Sequence, residues 1–198
     1  MKDIFIKKTM SFITTNNHNI DKFKLEEIRY GFEYIYLSIT KFFIILLFSY
    51  FLGIMNEFLF FLILYNIIRF FSFGLHFDKS YICFIFSTLI FLSFPFLAQI
   101  LTIPFEMKIM ICVFSFVVFC LYAPADTKKR PLIKKEKRKK YKFLSIFVII
   151  IYIFLSFFIN DSFIVNNLLF SMIIQSILIL PITYAFFKLP YQNYKTYQ

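Results

Sequence analysis

Six long apolar stretches, each bounded by charged or turn-forming residues, limit this chain to one kind of fold. They run from about Tyr34 to Met55, Phe58 to Phe73, Tyr81 to Leu101, Phe105 to Tyr122, Phe143 to Ile159 and Phe163 to Phe187. None alternates polar and apolar residues with the period of two that a lipid-facing barrel strand needs, which leaves the helix as the spanning structure that satisfies its own backbone in hydrocarbon. With 60% hydrophobic residues and 33 Phe among 198, the chain carries more apolar surface than a soluble domain of this size can bury. It therefore reads as an all-α, polytopic integral membrane bundle. A straight spanning helix takes about 20 residues, so the second and fifth stretches, at about 16 and 17, are short and the count lies between four and six.

Charge placement favours six. Cytoplasmic loops are enriched in Lys and Arg. With both termini inside, the exported turns hold Glu57, then Glu106 and Lys108, then Asp161, while the cytoplasmic side takes Lys2, Lys7, Lys8, Lys22, Lys24, Arg29, Arg69, Lys79, the run from Lys128 to Lys142, Lys188 and Lys195. Lys108 is then the one basic residue of 22 on an exported turn. Two regions follow: an amphipathic interfacial segment over 1–30, and a helical transmembrane domain over 31–198 with a basic cytoplasmic loop at 124–142. In helical projection Phe5, Ile6, Met10, Phe12 and Ile13 share one side and Lys7 and Lys8 lie opposite, the pattern of a helix in the headgroup layer. A surface anchor is the simpler role; gripping an amphipathic partner is the other. The amino terminus lacks a short apolar core followed by a small-residue cleavage site, so the first spanning helix is expected to act as its own insertion signal.

Chemistry concentrates in Arg69-Phe-Phe-Ser-Phe-Gly74-Leu-His76-Phe-Asp-Lys-Ser80-Tyr-Ile-Cys83, between the second and third stretches. A cysteine becomes a nucleophile when an imidazole or the positive end of a helix favours its thiolate, and acyl transfer also needs a base. Ser80, or Asp78 before it, is a good cap for the third apolar helix, which puts Cys83 in the first turn beside unpaired amides. On one continuous helix His76 and Cys83 would stand about 10.5 Å apart along the axis, beyond hydrogen-bond reach. A dyad thus requires a break, and Gly74 with Asp78-Lys79-Ser80 supplies one. From these residues alone, an ordinary loop with a buried cysteine and an interfacial histidine is the competing reading.

The pattern R-x4-G-x-H-x6-C over Arg69, Gly74, His76 and Cys83 is followed by Tyr122-Ala-Pro-Ala-Asp-Thr-Lys-Lys-Arg-Pro131 and a Lys-rich stretch. In this it resembles the accessory gene regulator protein B (AgrB) family, bacterial membrane cysteine endopeptidases that process quorum-sensing propeptides. The resemblance covers essentially the whole chain, including Arg29-Tyr-Gly31 before the first span. It implies Cys83 as nucleophile, His76 as its base, a short AgrD-like propeptide as substrate, and a thioester that an internal Cys or Ser closes to a thiolactone or lactone. One departure is Phe73, where many members carry glycine or a small residue.

Arg69 either snorkels to headgroups or helps hold the substrate or site loop. Asp126 is a candidate third group orienting the imidazole, in competition with Asp78 and with a plain turn role. Cys112 and Cys120 read as packing residues. The basic run sets topology and meets anionic lipid; Lys134, Lys135, Lys137 and Arg138 could also attract an acidic peptide. Two histidines 58 positions apart and no Cys-x-x-Cys offer no metal site, and no cofactor is implied. The net charge of +11 is explained by sidedness, so nucleic acid is not an expected partner; the bilayer, the propeptide and a second copy of the chain are. The alternative from another class is a non-enzymatic transporter or peptide-export component, for which Pro95 and Pro181 are the only mid-span breaks and no repeat is visible.

Overall fold

The computed structural model describes residues 2–16, 21–75, 80–127 and 132–197. These form α1 (Lys2–Asn16), α2 (Lys22–Phe51), α3 (Met55–Ser72), α4 (Ser80–Ile100), α5 (Phe105–Tyr122), α6 (Lys135–Phe158), α7 (Ser162–Ile179), α8 (Pro181–Phe186) and a closing 3-10 turn (Asn193–Tyr197). Six helices are long and apolar enough to cross a bilayer, α3 to α7 and the Gly31–Phe51 part of α2. The chain is the all-α, multi-span bundle expected.

The two short stretches become full helices by different means. The second begins at Met55, three residues before its apolar run. The fifth begins at Lys135, because the basic segment before Phe143 is itself helical, and its 24 residues span about 36 Å at 1.5 Å per residue. The sixth stretch, read as one run to Phe187, is divided instead. Pro181 disfavours a helical residue before it and cannot donate back to its own preceding turn, so Leu180 is extended (φ −67°, ψ 136°) and α8 starts with proline at its first position.

By internal contacts the chain divides into Met1–Phe51 and Leu52–Gln198. In the first unit α2 runs unbroken through residue 30, and the Phe5 ring lies 5.4 Å from that of Tyr36. Ile6 is buried, Lys7 and Lys8 are exposed, and so are Phe5 and Phe12.

In the second unit α7 is the hub, in contact with α3, α4, α5 and α6. Of its span 72% is buried, against 11–28% for the other five. A helix apolar on all sides belongs in the middle of a bundle, and this one also carries five buried polar side chains, Asn166, Asn167, Ser171, Gln175 and Ser176. Asn166 Nδ2 donates to the carbonyls of Ala98 (3.0 Å) and Leu101 (2.7 Å), which the end of α4 leaves without helical partners. Lys108 Nζ does the same for Ser156 O (2.9 Å) near the end of α6 and sits over the Phe157 ring. The lone basic residue of that end is thus a helix-terminal ligand.

Asn166→Ala should lower resistance to SDS-induced unfolding by about 0.6 kcal/mol and by no more than about 1.7, the average and the maximum for interhelical hydrogen bonds in membranes. Asn167→Ala should cost less, since its amide donates only to Phe163 O of its own helix. Equal losses would remove the interhelical role from Asn166.

Candidate active site

At the opposite end of the unit, the residues after α3 make a turn gripped from three sides. Gly74 N donates to Ala125 O (2.9 Å), Ala125 N to Ser72 O (3.0 Å) and Leu75 N to Leu178 O (3.0 Å). Phe73 and Ala125 thereby form a parallel bridge between the ends of α3 and α5. From α7, Gln175 Nε2 donates to Ser72 Oγ (2.7 Å) and Phe73 O (2.6 Å). Gly74 has φ +109°, a conformation that favours glycine, and a Cβ there would stand 3.0 Å from Gln175 Nε2 and push on that amide. Phe73 is left-handed too, with φ +60° and ψ −121°. Such a sparsely populated conformation costs a residue with a Cβ on the order of 1–3 kcal/mol, offset here by the Gln175 bond and by an edge contact of its ring on Tyr141 at 5.0 Å.

Arg69, one turn before the break, holds the turn from within. Its Nη1 donates to Tyr65 Oη (2.8 Å) and its Nη2 to Leu75 O (2.7 Å). Both acceptors are neutral. The guanidinium also lies within electrostatic reach of the Cys83 thiol and of the Tyr184 hydroxyl. Cys83 is partly buried against the core in the first turn of α4 and carries no disulfide. The sulfur thus stands near the start of α4 and within reach of the Arg69 guanidinium. The α4 helix already includes Ser80, so Ser80 is a helical residue and not the cap before it; residues 76–79, among them His76 and Asp78, and the Ser80 side chain lie outside the described residues.

Asp126 is buried, and its carboxylate is engaged by backbone. Oδ1 accepts from Asn193 N (3.0 Å); Oδ2 accepts from Tyr194 N (2.8 Å) and Leu132 N (3.4 Å). It clamps the carboxyl-terminal segment to the α5–α6 connection, next to Ala125 and the site turn. Tyr184 on α8 is buried with an unpartnered hydroxyl; burial raises its pKa, with Arg69 acting in the opposite sense. Of the four basic residues first singled out, Lys135 and Arg138 line a cleft beside this connection, whereas Lys134 and Lys137 are exposed and do not. Cys112 is buried in mid-span, 3.8 Å from Ser156 Oγ, and Cys120 lies in the same helix. Gln175, Tyr65 and Tyr184 were not among the residues expected at the site. Gln175 alone had a signal, a polar side chain inside an apolar run.

A family model described as Accessory gene regulator B matches residues 6–179. The chain is 28% identical over 184 residues to a putative AgrB-like protein of Clostridium acetobutylicum, covering 92% of this chain and 88% of that one. It is 31% identical to the accessory gene regulator protein B of Staphylococcus aureus (83% and 87% covered) and 32% identical to that of Staphylococcus carnosus (74% and 76%). No solved structure matches.

With Cys112 and Cys120 replaced by alanine, Arg69→Gln should slow iodoacetamide labelling of Cys83 at pH 7 by about three- to tenfold through loss of the neighbouring cation. Arg69→Lys, which keeps the charge and loses the forked geometry, should retain most of the rate. Similar rates in wild type and Arg69→Gln would show that the cation does not act on the sulfur.

Proposed function

Because the chain belongs to the accessory gene regulator B family, and so to accessory gene regulator quorum sensing, we propose that it is a membrane cysteine endopeptidase with Cys83 as nucleophile and His76 as general base and acid. The observation that carries this reading is the setting of Cys83, in the first turn of α4 and within reach of the Arg69 charge, while Gly74, Gln175 and Ala125 hold the turn after α3 in place. His76 follows that turn directly, one residue beyond Leu75.

The substrate is a short membrane-associated propeptide of the AgrD kind. His76 takes the thiol proton, and the Cys83 sulfur attacks a peptide carbonyl. Collapse of the tetrahedral intermediate breaks the C–N bond; His76 protonates the leaving amine, and the carboxyl-terminal piece departs. The amino-terminal piece remains as a thioester on Cys83. A nucleophilic side chain within that piece then displaces the sulfur and closes a thiolactone or lactone ring. A site at the membrane boundary favours ring closure over hydrolysis by limiting water and holding the internal nucleophile near the acyl carbon. The site end of the bundle is cytoplasmic in this reading: it carries Arg69, Lys134 to Lys142 and Lys188, against Glu57, Glu106, Lys108 and Asp161 at the other end.

In a cell-based cleavage assay at matched expression, Cys83→Ala should abolish processing, and Cys112→Ala and Cys120→Ala should leave it largely intact. His76→Ala should lose about 10²- to 10⁴-fold, the usual weight of a general acid–base group. Wild-type-like cleavage by Cys83→Ala would end the peptidase reading.

Sidedness has its own test on the cysteine-free chain. A membrane-impermeant thiol reagent added to intact cells should label Asn160→Cys and not Lys135→Cys. Labelling of Lys135→Cys from outside would invert the bundle and move the site out of the cytoplasm.

A further inference from the structure

A cleft of about 320 Å³ opens where the α5–α6 connection meets the carboxyl-terminal segment. One wall is basic by helical phase. Because α6 already begins at Lys135, Lys135, Arg138, Lys139 and Lys142 fall on one face and line the cleft together, while Lys137 and Lys140 do not line it. Tyr122, Tyr191 and Tyr194 face them. The acidic group in the lining, Asp126, has its carboxylate occupied by three backbone amides. Arg138 stacks over the Tyr194 ring at 3.6 Å and keeps a buried Nη1 without a hydrogen-bond partner. A buried N–H of a guanidinium without an acceptor is costly. Four cations around one engaged carboxylate therefore make a site for an anion.

The apolar edge of the cleft says which kind of anion. Leu121 lines it and is itself 63% exposed. Below it Val117, Phe114 and Met110 continue at helical spacing along α5, all exposed, as one apolar stripe running from the cleft down the span. A cationic pocket with tyrosines at the membrane boundary and an apolar stripe beneath it fits an amphiphile. We propose that the cleft binds the phosphate of an anionic phospholipid whose acyl chains lie along the Leu121–Met110 stripe. A soluble acidic peptide or free phosphate would use the cations and leave the stripe without a role.

Such a lipid would touch the site through backbone. Pro124, Ala125 and Asp126 form a wall of the cleft, and Ala125 is hydrogen-bonded to Ser72 and Gly74 of the turn that leads into His76. Headgroup occupancy braces that wall against the turn.

Binding is read without substrate, so its outcome is independent of the peptidase reading. The full-length protein, purified in detergent, is mixed with dioleoyl phosphatidylglycerol, dioleoyl phosphatidylcholine, glycerol 3-phosphate or hexaglutamate and examined by native mass spectrometry. Phosphatidylglycerol should be retained in preference to the other three. The Lys139→Gln/Lys142→Gln variant should bind it about 30-fold more weakly, the weight of two near-surface cations. Lys137→Gln/Lys140→Gln, which removes the same charge outside the cleft, should bind within about threefold of wild type; both variants are checked for an unchanged elution volume. Equal weakening in the two variants would mean diffuse charge attraction and overturn the site. Retention of glycerol 3-phosphate as strongly as the lipid, or of hexaglutamate in its place, would overturn the phospholipid assignment.

Discussion

The pair of hydrogen bonds from Gln175 Nε2 to Ser72 Oγ and Phe73 O fixes the part of the bundle where chemistry is possible. A spanning helix can end in many ways; this one ends against a polar side chain sent from the central helix. The backbone beyond Ser72 then passes through two left-handed residues, Phe73 and Gly74, so close to α7 that a Cβ on Gly74 would press on the same amide. Ala125 and Leu178 pair with what remains of the turn, so the ends of α3, α5 and α7 are joined by backbone as well as by packing. In a medium that offers no water to unpaired amides, such pairing is what allows an irregular segment at the membrane boundary.

From that turn the positions of Arg69 and Cys83 follow. The turn carries Leu75 O to within 2.7 Å of Arg69 Nη2, which holds the guanidinium over the bundle end instead of letting it extend to headgroups. The restart of the chain as α4 places Cys83 within reach of that charge. Asp126 works on the other side of the same connection. Its carboxylate gathers three amides, two of them from the carboxyl-terminal segment, and so anchors the strip of backbone that pairs with Gly74.

How far this was legible in the residues depends on the physical signal each part carries. Spans are written as apolar length, and all six were found. Their ends were less clear where two signals conflict: Lys135 to Lys142 looks like a loop by charge and is a helix by propensity, and Pro181 ends α7 inside a run that hydropathy reads as continuous. The break at Gly74 was legible because glycine there answers a backbone demand. Its strength was not, since the hydrogen bonds that make it come from Gln175, 101 positions away. Asp126 was noticed for its charge, but what that charge holds depends on where the carboxyl-terminal segment docks, which no local pattern encodes. The setting of Arg69 was likewise a matter of fold: one cation at a helix end suits snorkelling and site-building equally until the turn beyond it is known.

The neutral partners of Arg69 bear on the proposed reaction. Tyr65 Oη and Leu75 O position the guanidinium without cancelling its charge, as a carboxylate partner would. Along the proposed path the negative charge sits first on the Cys83 sulfur, passes to the carbonyl oxygen of the tetrahedral intermediate, and is absent from the thioester. A fixed cation nearby lowers the charged stages relative to the neutral one, and only interactions stronger in the transition state than in the ground state accelerate a step. The same logic applies in reverse when an internal nucleophile attacks the thioester and charge develops on that oxygen again. One partly buried cation held by neutral oxygens can thus serve both acyl-transfer steps, provided that the turn at Gly74 keeps Leu75 O where Arg69 needs it.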